Sequence, residues 1–119
     1  MQIQAAVLRE PNGRLSVETV EIAEPGPGEV LVRIAASGLC HTDWETMRGL
    51  QPCVLPAIVG HEGAGVVEAV GEGVTSLAPG DHVVTLFSPQ CRECVHCVDE
   101  RTNLCMAIRE QQNKGYLPD

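Results

Sequence analysis

The chain has 119 residues, 44% of them hydrophobic but only 3% aromatic, and a formal net charge of −8. That length suits one globular domain burying about two-thirds of its unfolded surface. The acidic balance argues against nucleic acid or an anionic membrane surface as partner, and no run approaches the roughly 20 apolar residues of a membrane span.

The opening "MQIQAAVLRE" has no basic segment followed by an apolar run, so a secretory signal is not expected and the reducing cytoplasm is the expected setting. With so few aromatics, the core must come from Val, Ile, Leu and Ala, a mixture in which the β-branched residues favour strands. "IQAAVL", "RLSVETVEI" and "EVLVRIAA" read as short strands separated by the turn formers "EPNG" and "EPGPG". "GLCHTDWE" comes next. Cys40 ends an apolar strand and a short helix starts after residue 41, with Thr42 and Glu45 spaced as a capping box. That spacing gives both residues a purely structural role, satisfying backbone N–H groups of the first turn. Further on, "AGVVEAVG" and "DHVVTLF" read as strands again, and seven glycines between Gly38 and Gly73 imply sharp turns or close backbone approaches. Within that stretch, "VGHEGAG" sets His61 and Glu62 among glycines, 21 residues after Cys40. A lone Cys behaves as a small hydrophobe, and a lone His in a turn is usually a satisfied polar residue. The pattern predicts a mainly β (α+β), barrel-like domain without internal repeat or linker, ending in an irregular lobe.

That lobe is "SPQCRECVHCVDERTNLC", residues 88–105, which holds four of the six cysteines. Cys91, Cys94 and Cys97 recur at intervals of three, and Cys105 follows after an insertion long enough for the chain to turn back. Two C-x2-C steps present thiolates from tight turns, a pattern suited to a closed tetrahedral zinc site. Such a site would add about two negative charges to the lobe. Paired disulfides are the alternative, although they suit a small secreted domain better. His96 offers a substitute ligand within the lobe, but Cys97 fits the three-residue rhythm. The role of Cys53 is not legible.

Taken together, "GLCHTD", "GHEGAG", "PGDHV" and "CRECVHCVDERTNLC", in this order and separation, resemble the zinc-containing medium-chain alcohol dehydrogenases. The likeness is to the amino-terminal part of their catalytic domain, a GroES-like β-barrel, and covers nearly all of residues 1–119. It implies that Cys40 and His61 ligate a catalytic zinc with Glu62 beside them, and that Cys91, Cys94, Cys97 and Cys105 form a structural zinc lobe over about residues 88–106. It further implies oxidation of an alcohol to an aldehyde or ketone through a zinc-bound alkoxide, with hydride transfer to NAD. In this scheme Thr42 passes the alcohol proton outward and Asp43 orients His61. His41 lies near the cofactor pyrophosphate, Phe87 lines the substrate pocket, and Trp44 sits near it or simply packs. The implied partner is a small-molecule alcohol or aldehyde, and the complete enzyme would be a homo-oligomer.

Two features depart from the family pattern. Glu45 stands where many relatives have a histidine, which leaves the outer end of the proton relay open. The chain also stops at "KGYLPD", before the family's remaining catalytic cysteine and its coenzyme domain. Gly63-x-Gly65-x-x-Glu68 fails the G-x-G-x-x-G fingerprint at its closing position, so no dinucleotide-binding unit is expected here and the 119-residue chain alone is expected to be inactive. The alternative is a self-sufficient zinc-binding or subunit-interaction module without redox activity.

Overall fold

The computed structural model describes residues 1–88 and 90–109; the closing stretch with "KGYLPD" lies outside them. The element order is β1 (Gln2–Leu8), β2 (Ser16–Glu21), β3 (Val30–Ser37), α1 (His41–Met47), β4 (Ala57–Ile58), β5 (Gly63–Val70), β6 (His82–Val84), α2 (Val95–Val98), a 3-10 turn (Thr102–Leu104) and α3 (Met106–Arg109). No helix among the described residues is long and apolar enough to cross a membrane.

The six strands make two antiparallel sheets, β2-β1-β4 and β3-β5-β6. In the first, β1 is central. Its alternating pattern turns Ile3, Ala5 and Val7 to one face, and its end is flanked on both sides, with Val7 opposite Ser16 and Ile58. Val7 and Leu8 are consequently fully buried, each contributing about 1.5–3 kcal/mol of apolar transfer free energy. Ala57 on β4 and Val67 on β5 complete the strand part of the core.

In the second sheet β5 is central, and two register shifts in its ladder with β3, at Leu31/Val32 and Ile34/Ala36, bend the pair. Gly65 lies opposite Ile34, and a Cβ there would run into the Arg33 carbonyl, so only glycine lets the two backbones approach. Antiparallel pairing gathers three chain ends on one side of this sheet. Ser37 at the end of β3 faces Gly63 at the start of β5, and Val84 at the end of β6 faces Ala64. Cys40, His61, Glu62, Thr85 and Phe87 all lie within three residues of those positions.

The mainly β expectation holds, with two differences of detail. No ladder among the described residues closes the strands into a barrel: β4 has two residues and β6 three, too short to bridge the sheets. The carboxy-terminal lobe, expected to be irregular, contains two short helices and a 3-10 turn.

Candidate functional site

The lobe brings Cys91, Cys94, Cys97 and Cys105 together with all four sulfurs within 4.8 Å of one another. Sγ of Cys91 lies 3.9 Å from that of Cys97, and Sγ of Cys94 lies 4.0 Å from that of Cys105. Sulfurs about 2.3 Å from a central ion at tetrahedral corners would be about 3.8 Å apart, whereas a disulfide requires about 2 Å. The spacing is that of a metal cage, and all six cysteines are free thiols.

Local structure sets the cage. Cys94 caps α2 and Cys97 lies within it, while the 3-10 turn returns the chain to Cys105. The N–H of Cys94 points at the Cys91 sulfur (3.3 Å) and that of Cys91 at the Cys105 sulfur (3.4 Å). Backbone N–H groups, of Met106 first and then Cys97, hold the Cys94 thiol well below its ordinary range. Burial pushes Cys97 the other way. Four thiolates cannot crowd together uncompensated, and a dication held at the centre would supply the compensation. His96 is not part of the cluster, whose members are Cys91, Cys94 and Cys97 of the three-residue rhythm and the closing Cys105.

A second cluster stands where the sheet ends converge. One donor atom each from Cys40, His61 and Glu62 lie within 4.8 Å of one another. They line a cleft of about 520 Å³ together with Thr42, Gly63, Ala64, Val84, Thr85 and Phe87. Thiolate, imidazole and carboxylate make a mixed three-donor set that leaves room for a further ligand, as a catalytic divalent site requires. Thr42 Oγ1 is buried and has no hydrogen-bond partner among the described residues. A buried hydroxyl without a partner costs about 1–3 kcal/mol, so a ligand in the cleft is the natural acceptor or donor for it. The donor set and this orphan hydroxyl both fit a metal with a bound hydroxylic substrate. The Phe87 ring packs on His61, centroids 4.6 Å apart, which fixes one face of the imidazole.

The helix start differs from the sequence expectation. The chain leaves β3 extended, with Cys40 at φ −96° and ψ 155°, so His41 is the first helical residue and Cys40 the cap. The acid three places beyond the cap is therefore Asp43, not Glu45. Asp43 is buried, and its Oδ2 accepts the Cys40 N–H at 2.9 Å. The Thr42–Glu45 capping box is thus replaced by one shifted two residues back, which frees Thr42 to face the cleft. Asp43 was expected to orient His61; the group it holds here is the backbone of Cys40.

Outside the cleft, the Glu45 carboxylate accepts a hydrogen bond from Gln51 Nε2 at 2.7 Å and lies 3.6 Å from His41 Nε2. His41 is largely exposed, its ring 5.2 Å from that of Trp44. Trp44 does not line the cleft. Its ring contacts the tilted His41 ring and the Arg48 guanidinium, which lies 5.3 Å from its centroid.

Sequence reasoning missed Thr85. Its hydroxyl donates to the His61 carbonyl at 2.6 Å and accepts the Gly63 N–H at 2.9 Å, so one side chain clamps the backbone on both sides of Glu62. Nothing in "DHVVTLF" distinguishes a clamping threonine from any β-branched strand residue.

Comparison with known proteins agrees with this geometry. Residues 26–116 match the alcohol dehydrogenase GroES-like domain. The chain belongs to this family. Over its whole length this GroES-like domain is 51% identical to a class-3 alcohol dehydrogenase of Cereibacter sphaeroides and 49% identical to an S-(hydroxymethyl)glutathione dehydrogenase of Escherichia coli, covering 32% of each. Among solved structures, the benzyl alcohol dehydrogenase of Acinetobacter calcoaceticus superposes with a TM-score of 0.89 at 36% identity, over 97% of this chain and 32% of that one. The chain thus spans about a third of the length of the relatives it matches.

Proposed function

We propose that this GroES-like domain is the amino-terminal, zinc-binding part of an NAD-dependent alcohol dehydrogenase. The observation that carries the proposal is the Cys40–His61–Glu62 donor set at the cleft, with the unpartnered Thr42 hydroxyl in the same wall. Cys40 and His61, with Glu62, would hold the catalytic ion, and the four-cysteine lobe a structural one. A zinc ion in the cleft supplies a Lewis acid that makes an alcohol hydroxyl easier to deprotonate near neutral pH.

The chain's own residues do the rest. Thr42 Oγ1 accepts the alcohol proton while releasing its own to a water molecule in the cleft, a step for which a buried hydroxyl without a competing protein partner is suited. Val84 and Phe87 offer an apolar wall to the alcohol's carbon skeleton. Exposed His41, when protonated, offers a cation to the phosphates of NAD. The relatives named for S-(hydroxymethyl)glutathione and for benzyl alcohol share the –CH2OH group. Primary alcohols are accordingly the substrate class proposed here.

A chimera tests this directly: the chain replaces the matching segment of the Cereibacter relative. Alcohol-dependent NADH formation is expected, and its loss in Cys40→Ser. A chimera that folds with its metal and shows no such activity would overturn the proposal.

A further inference from the structure

The Glu62 carboxylate lies among the metal donors only because the residue across from it has no side chain. Gly38 follows β3, and its N–H donates to the Glu62 carbonyl at 2.9 Å, one step beyond the Ser37–Gly63 pair that ends the β3–β5 ladder. A Cβ on Gly38 would sit 3.1 Å from Glu62 Cβ and 3.3 Å from Cδ, with Oε2 closer still. The carboxylate is therefore folded over the Gly38 α-carbon. From there it reaches within 4.8 Å of the donor atoms of Cys40 and His61. The backbone cannot relieve a clash at this point, because Gly38 holds the Glu62 carbonyl and Thr85 holds the carbonyl before it and the N–H after it. The Glu62 side chain is the part free to move.

We propose that Gly38 is a positioning residue for the metal site: the space left by its missing side chain seats the Glu62 carboxylate as the third donor beside Cys40 and His61. Any β-carbon at position 38 turns that carboxylate away and leaves a two-donor site. The closest group, the carboxylate, is the far end of a flexible side chain and can swing away, while the Glu62 Cβ has to give by only a few tenths of an ångström, so the cost to the fold is small beside the loss at the site. The backbone conformation plays no part, since Gly38 is not among the glycines with positive φ. The inference rests on the metal site proposed above, and its signature is a loss of metal affinity without a loss of stability.

Cobalt(II) reports both. With zinc filling the four-cysteine lobe, titration of the protein with Co²⁺ gives a dissociation constant and a thiolate-to-cobalt absorption band for the second ion. Gly38→Ala is expected to weaken that binding by about 10- to 100-fold, the range usual when a ligand loses its support. Glu62→Ala should weaken it to the same degree, and Gly38→Ala added to Glu62→Ala should change nothing further. The unfolding midpoint and the zinc content of the lobe should be those of the parent in all three variants. Parent-like cobalt affinity in Gly38→Ala overturns the inference, as does a further loss in the double variant. A parent protein that takes up no second ion overturns the metal-site proposal itself, a result distinct from the other two.

Discussion

Asp43 and Glu45 are both acids near the start of one short helix, yet they face different tasks. Asp43 is buried and holds the Cys40 N–H, whereas Glu45 is partly exposed and bonded to a glutamine side chain. Losing a capping interaction costs about 1 kcal/mol and losing a surface carboxylate far less. Asp43→Ala is therefore expected to destabilise the chain by about 1–2 kcal/mol in urea denaturation, and Glu45→Ala by less than about 0.5 kcal/mol. Equal costs would place the cap elsewhere. On the opposite sheet, Arg9 first and then Ser16 hydrogen-bond Glu18 and lower its carboxyl from 4.5 to about 2. Because the folded value is depressed, the stabilisation is complete above the ordinary carboxylate range and disappears as pH falls toward 2. The stability difference between the chain and Glu18→Gln should be flat from neutral pH to about 5 and shrink below about 4. A difference that grows on acidification would reverse the assigned sign.

At the scale of elements, the two candidate metal sites differ in where their donors come from. The lobe draws four thiols from α2 and the turns flanking it, so metal binding and local folding would be one event. The cleft site draws its donors from just beyond the end of β3 and just before the start of β5 and has three of them among the described residues. After dialysis against a mild chelator the chain should retain about one zinc per molecule, lost in Cys94→Ser and kept in His61→Ala. Two retained ions would mean that another group completes the cleft site. No retained ion, with thiols oxidised in pairs, would restore the disulfide alternative.

For the whole molecule, the domain presents a candidate reaction site but no dinucleotide fingerprint: Gly63-x-Gly65-x-x-Glu68 does not meet the glycine pattern, and Gly65 is engaged against β3. Holding a hydride acceptor in line with its donor contributes several kcal/mol to such reactions, so the 119-residue chain alone should form no NADH from alcohol above a Cys40→Ser control. Zinc-dependent NADH production by the isolated chain would show that NAD is positioned by residues within it.

The four-cysteine lobe was legible from sequence because its chemistry is local. The four thiols lie within 15 residues, and their spacing alone limits what they can enclose. Strand positions were legible for the same reason, since alternation and turn formers act over a few residues, and the GHE and GLCHTD motifs marked the candidate donors by family resemblance. The helix cap was misplaced by two residues because the spacing rule does not say where the extended chain ends; the backbone of Cys40 decides that. Tertiary structure alone decided that Thr85 clamps both sides of Glu62, that Gly38 makes room for its carboxylate, and that Trp44 does not line the cleft. The first two depend on which strand ends antiparallel pairing brings side by side, across 20 or more residues of chain where local pattern carries no information, and the third on how α1 is turned relative to the cleft.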